Sequence, residues 1–138
     1  MEGFGFYKIK EKSRGPPIIE KKSKFIATAV PVRSISEIEE AVKEIKKEMK
    51  KATHNAFAYR IVDENGISED WDDDGEVKGC AGKPILNILQ GFSVFNTLLI
   101  VTRYYGRIHL GPAGLIRQYS NTAKDLIERV GLKELNEN

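Results

Sequence analysis

The sequence predicts a single α+β domain, a mixed sheet with helices mainly on one face. Three observations predict it: two segments with apolar residues at helical spacing, one short run apolar at every position, and alternating segments between them. At 138 residues the chain is long enough for one core, and 41% hydrophobic against 30% charged residues is the balance of a folded chain.

The elements follow in order. Phe4 to Lys12 alternates loosely and leads into a turn at Gly15-Pro16-Pro17. Ile18 to Val32 reads as a strand, with Phe25, Ile26, Ala27 and Val30 toward the core and Pro31 near its end. Ser36 and Glu39 form a capping box, after which Ile38, Val42, Ile45 and Met49 recur at helical spacing with lysines on the wet face. Residues 54–62 read as a strand followed by an acidic loop. Pro84 to Gln90 suits a short helix, with proline in its first turn and Gly91 as its stop. Leu98 to Val101, within a strand from Val94 to Tyr105, is apolar on both faces and therefore central. A last helix from Pro112 to Val130 lines one side with Leu115, Ile116, Tyr119, Ala123, Leu126, Ile127 and Val130, and Gly131 ends it. The order is β-β-α-β-α-β-α, one domain over residues 1–135 with a frayed tail at 136–138.

Composition excludes several classes. The longest apolar run, Leu98 to Val101, is too short to span a bilayer, so no membrane partner is expected. Met1-Glu2-Gly3-Phe4 lacks the basic-then-apolar order of a secretion signal. The lone Cys80 rules out an internal disulfide framework and fits a reducing compartment, so the expected location is cytoplasmic. Oligomeric state has no sequence signal.

Net charge is only +2, but it is unevenly spread. Residues 8–24 hold seven Lys or Arg against two Glu, and residues 63–76 hold eight acids and no base. Residues 103–117 hold Arg103, Arg107, Arg117 and His109 with no acid. Such polarisation steers a charged partner even at modest net charge.

Two glycine-punctuated loops, residues 70–84 and 103–117, carry the functional candidates. In the first, Asp70, Asp72, Asp74 and Gly75 match the first half of a calcium-binding loop, but Ala81 stands where a bidentate glutamate is required. No metal and no cofactor are therefore expected. Gly79 to Pro84 resembles a phosphate loop but has Val77 for the first glycine and Pro84 for the Mg-binding hydroxyl. Cys80 in a tight turn before a helix is a candidate nucleophile, with His54 or His109 as base, although nothing in the sequence sets a base beside it. In the second loop a helix start offers free N–H groups to an anion. Gly106, Gly111 and Gly114 permit close approach, the arginines supply forks for phosphate, and Tyr104 and Tyr105 can stack, one of them being expected inside the core.

Read together, the blocks resemble the IMPACT/YigZ family. The resemblance runs from Ser23 to Ala27, through Ala52 and His54 to Ile61, to Asp73-Asp74-Gly75-Glu76 and Ala81-Gly82-Lys83-Pro84. It continues through Val101 to Gly106, Leu110-Gly111, Gly114 to Arg117 and Tyr119-Ser120. It implies a β-α-β sandwich similar to domain four of the translocation elongation factor. For eukaryotic members it implies translational regulators that compete for the ribosome-associated activator of a starvation kinase; bacterial members are suspected of binding nucleic acid. Departures fall in the two loops: Val77-Lys78 for a usual Pro-Ser, Cys80 for Thr, Arg107 and His109 for Gly and Lys.

The expected function is a translation-associated protein that contacts RNA or a ribosome-associated protein. Lys83, Arg103, Arg107 and Arg117 would take phosphates, Tyr104 or Tyr105 would stack, and Gly106, His109, Gly111 and Gly114 would complete the site. The alternative is a small-ligand or hydrolase-like protein, with Asp73, Asp74 and Glu76 facing Arg103 and Lys83 in one cleft. A structural ion-pair network pinning the two loops together competes with that alternative.

Overall fold

The computed structural model describes residues 5–136. Its elements are β1 (Tyr7–Ile9), β2 (Ser13–Arg14), β3 (Ile18–Glu20), β4 (Ser23–Pro31), α1 (Ile35–Glu48), β5 (His54–Asp63), β6 (Gly66–Asp72), α2 (Gly82–Gly91), β7 (Thr97–Tyr104), α3 (Gly111–Val130) and β8 (Leu132–Glu134). The six-stranded sheet runs β2-β4-β7-β5-β6, with β3 also on β4, while β1 and β8 form a separate ribbon.

Every strand pairing is antiparallel, where a mixed sheet is expected from the sequence. β7 lies at the centre, as its apolar run requires, and its alternation feeds two cores. Leu99 and Val101 join Phe25, Ala27, Ala29, Ala56 and Ala58 under α2 and α3. Leu98 and Ile100 join Ile38, Ile45 and Ile61 under α1. Two helices therefore share one face and α1 covers the other. The alanines of β4 and β5 line the two-helix face, which leaves room there for Tyr119, Leu86 and Leu89.

Three local expectations are corrected. The strand expected over Ile18 to Val32 is a hairpin, because Lys21 and Lys22 take φ of 47° and 66°, the two positive values of a tight two-residue turn. The acidic stretch expected to be a loop contains β6, paired with β5 from Phe57↔Asp72 to Asp63↔Gly66. An edge strand can carry charges because its side chains remain in water, so low strand propensity does not prevent pairing there. The helix cap is Ser34, not Ser36: its side chain accepts from Glu37 N at 3.1 Å, and Glu37 accepts from Arg33 N at 2.7 Å. The spacing S-x-x-E occurs twice, at 34/37 and 36/39, and sequence alone does not rank them.

Of the expected frayed tail, residues 137–138 lie outside the described residues; Leu135 N still donates to Phe6 O at 2.8 Å, extending the β1–β8 ribbon. No helix among the described residues is long and apolar enough to cross a membrane.

The cap assignment is testable by urea unfolding. Ser34→Ala is expected to cost about 1 kcal/mol, whereas Ser36→Ala stays within about 0.5 kcal/mol of the parent.

Candidate functional site

Register brings the two loops together. β7 ends opposite the start of β4, with Phe25↔Arg103 and Lys24↔Tyr104, and opposite the start of β5, with His54↔Arg103. Odd-numbered residues of β7 face α2 and α3, so Arg103 follows Leu99 and Val101 into the two-helix core, and only 5% of it is exposed.

A buried guanidinium needs a counter-charge and filled donors. Glu76 supplies the charge: Arg103 Nη1 donates to Glu76 Oε2 at 2.8 Å, and Tyr119 Oη donates to the same oxygen at 2.7 Å. Ser23 Oγ accepts from Arg103 Nε at 3.3 Å, from Nη2 at 3.2 Å and from Gly106 N at 3.1 Å. The guanidinium also lies 5.0 Å from the Tyr105 ring centroid and 5.6 Å from that of Phe25. Burial opposes ionisation of Glu76, but hydrogen bonds from Tyr119 and Arg103, with the charges of His54 and Arg103, outweigh it and hold the carboxyl below its ordinary range. Burial, then the Glu76 charge and hydrogen bond, pushes the Tyr119 hydroxyl far up, so it remains a donor.

His54 completes this cluster. Its Nδ1 lies 2.9 Å from the Asp74 carbonyl, which can only accept, so Nδ1 carries the hydrogen and Nε2 faces Glu76 Oε1 at 3.6 Å.

The other two acids are used locally. Asp73 Oδ1 accepts from Ala81 N at 3.2 Å and Gly82 N at 2.9 Å, and Oδ2 from Gly79 N at 2.8 Å. The segment that resembles a phosphate loop thus already holds an anion, the chain's own Asp73 carboxylate. Gly82 is required there, since a Cβ would meet Asp72 N and the Trp71 ring at 2.8 Å. Asp74 Oδ2 accepts from Asn55 N at 2.7 Å and its Oδ1 pairs with Lys46 at 3.1 Å. Cys80 is buried, and burial first, then Asp73 and Glu76, pushes its thiol up, away from nucleophile chemistry.

The residues expected to form one site therefore divide. Glu76 meets Arg103, as the pinning network requires, and Arg103 is buried with its Nε, Nη1 and Nη2 all donating to Glu76 or Ser23. Asp73 and Asp74 turn to backbone amides, and no hydrogen bond or ion pair among the described residues joins Lys83, exposed on α2, to the 103–117 loop. Tyr104 is the half-buried tyrosine, its hydroxyl 3.6 Å from Met49 Sδ, while Tyr105 is 40% exposed. Arg107, His109 and Arg117 are exposed, and Arg107 holds a φ of 68°. Gly106 lies against the Lys22 backbone, where a side chain would collide. Gly111 opens α3 at φ 76° with no capping side chain, and Gly114 is buried against Leu110.

Sequence reasoning missed Ser23, Thr53 and the neighbouring lysines. Lys21 and Lys22 stand in the β3–β4 turn and Lys24 lies 4.6 Å over the Tyr104 ring. Lys50 and Lys51 enter from the α1–β5 connection, which Thr53 fastens to β7 through Thr53 N to Arg103 O at 2.8 Å and Tyr105 N to Thr53 Oγ1 at 3.0 Å. These lysines looked like an ordinary wet surface because the pairing that assembles them spans up to 83 positions, as in Gly106 to Ser23.

Comparison with known proteins matches residues 21–127 to the Impact N-terminal domain. The chain is similar to the IMPACT family member YvyE of Bacillus subtilis, 37% identical over 94% of this chain and 58% of that one. It is 40% identical to the Protein IMPACT homolog of Schizosaccharomyces pombe over 70% of this chain and 35% of that one. Among solved structures, a crystal structure of a hypothetical protein superposes with a TM-score of 0.86 at 26% identity, covering 94% of this chain and 63% of that one. The two-domain translational regulator Yih1 superposes with a TM-score of 0.59 at 28% identity, covering 88% and 48%. The chain thus spans only part of these relatives, 58% of the Bacillus protein and 35% of the yeast one.

The lowered pKa of Glu76 makes stability depend on pH. A depressed folded value means that Glu76 contributes stability above its ordinary value of 4.5, and that this contribution is lost as pH falls through the lower, folded value. Denaturant unfolding from pH 7 to pH 3 is expected to show stability falling below about 4.5 in the parent and a shallower fall in Glu76→Gln, the variant being less stable at pH 7.

Proposed function

The chain belongs to the family of the Impact N-terminal domain, and on that premise we propose that it is a translation-associated binding protein that contacts RNA phosphates through one end of its sheet. One observation carries this: Lys21, Lys22, Lys24, Lys50, Lys51 and Arg107 gather at the end of the sheet where β7 leaves the core. The three segments that supply them, 21–24, 49–53 and 103–111, contain no acidic residue. None of the six has an ion-pair partner among the described residues, unlike Arg14, Lys46 and Arg60 elsewhere on the surface.

Unpaired cations at one end of a fold, beside an exposed aromatic ring, suit a phosphodiester strand with unstacked bases. Tyr105 supplies that ring, and Arg117 and the open first turn of α3 border the same loop. Arg107 holds a left-handed backbone that glycine would occupy without strain, at a cost of about 1 kcal/mol. Keeping arginine there is consistent with use of its guanidinium. The role in translation comes from the relatives, one of which is a two-domain translational regulator, and the place of action proposed is the cytoplasm. The rival cleft has less support, because Asp73, Asp74 and Glu76 are each engaged by backbone amides, a lysine or Arg103.

Fluorescence anisotropy with a labelled single-stranded RNA tests the proposal. Affinity is expected to fall steeply between 50 and 200 mM salt, with a log–log slope of about −0.7 for each phosphate neutralised. Lys22→Glu/Lys51→Glu/Arg107→Glu should weaken binding at least about tenfold and flatten that slope, with unfolding unchanged. Arg107→Gly alone should weaken binding without lowering Tm. Salt-insensitive binding, or none at low salt, contradicts the proposal and moves the search to a protein partner.

A further inference from the structure

Beside the basic end lies an open pocket of about 330 Å³. Tyr105 lines it, its ring 5.0 Å from the Arg103 guanidinium and 6.3 Å from the His109 ring. Leu110, Pro112 and Leu115 at the start of α3 supply apolar lining, and Val77 lines it as well. Its polar lining includes His54, Glu76 and Arg103. Glu76 Oε2 is taken by Arg103 and Tyr119, but Oε1 has only a 3.4 Å contact from Val77 N and the 3.6 Å approach of His54 Nε2. An acceptor therefore remains for an N–H donor from outside.

We propose that this pocket takes a single unpaired nucleobase of an RNA strand whose phosphates lie on the basic rim, the base stacking on Tyr105 and offering its N–H edge to Glu76. The inference rests on the RNA proposal and deepens it from a charged surface to a strand-selective site. Size favours one base over a larger ligand, since pockets for small molecules start at about 300 Å³. The lining favours a flat aromatic guest, because it combines an aromatic ring with proline and leucine side chains. Charge favours a neutral one: Arg103 and Glu76 already cancel each other there, so a free anion gains little inside while the phosphates gain at the rim. A duplex keeps its bases stacked and cannot fill the pocket, so preference for single strands follows.

The test uses an eight-nucleotide oligouridine with one central 2-aminopurine, and a duplex RNA of the same length. The parent is expected to bind the single strand with the 2-aminopurine shielded several-fold from acrylamide quenching. Val77→Trp, at a site 49% exposed and thus outside the core, should fill the mouth of the pocket. It should weaken the single strand roughly tenfold or more and restore quenching, with duplex affinity and Tm unchanged. Tyr105→Leu should act in the same direction. If the single strand binds with the 2-aminopurine fully quenchable and Val77→Trp binds equally well, the pocket inference is wrong while the phosphate-binding proposal stands. If neither RNA binds at low salt, the underlying proposal fails and the pocket inference falls with it.

Discussion

The ion pair between Glu76 and Arg103 is the interaction on which the rest of this end of the sheet depends. A charge on β7 that follows Leu99 and Val101 into the core is costly unless paired and fully hydrogen-bonded, and removal of one partner of such a pair costs about 3 to 5 kcal/mol. The pairing here draws on four elements: Glu76 from the loop before α2, Tyr119 from α3, Ser23 from the start of β4 and Arg103 itself. Each donor has few alternatives inside the core, so the loop at 73–82, the β7 exit and the α3 helix are held in one arrangement. Asp73 extends this order by closing the 79–82 turn on its own carboxylate.

That network divides the cations into two populations. Arg103 is paired and buried, and it acts by positioning: its guanidinium lies 5.0 Å from the Tyr105 ring centroid and shares the Ser23 hydroxyl with Gly106 N. The lysines of the β3–β4 turn and the α1–β5 connection, with Arg107, are exposed and have no ion-pair partner among the described residues. Charge is thus paired where it is buried, between Arg103 and Glu76, and unpaired among the described residues at the exposed end of the sheet. In the proposed function, such a surface gathers a polyanion at its rim and leaves the adjacent pocket to an uncharged group. The acidic β6 edge lies on the far side of β5 from β7, so the two charge excesses are segregated within one sheet.

Much of the fold was legible because its signals are local. The all-apolar Leu98 to Val101 announces a central strand, and the spacing of Ile38, Ile45, Leu115, Tyr119 and Leu126 announces two helices. The antiparallel order and strand β6 were not legible. Pairing partners carry no mark in a single sequence, and an edge strand such as β6 buries too little to need apolar residues. At the site, the meeting of Glu76 with Arg103 was open to expectation as a pinning network. The roles of Ser23, Thr53 and Tyr119 were not, because each looks like an ordinary residue until the register sets it beside β7, and His54 reads instead as a candidate base for Cys80. Asp73 shows the same limit: beside a glycine-rich turn it reads as part of an acidic cleft, and only the amide geometry shows it to hold the 79–82 turn.

The central claim, that Glu76 and Arg103 act as one structural unit joining the two loops, is tested most directly by a double-mutant cycle. Unfolding free energies of Glu76→Gln, Arg103→Met and the double variant at pH 7 give the coupling. A favourable coupling of about 2 to 3 kcal/mol is predicted, with the double variant more stable than the sum of the single losses implies. A coupling below about 0.5 kcal/mol would mean that the two residues act independently, and the account of this end of the sheet built on their pairing would not hold.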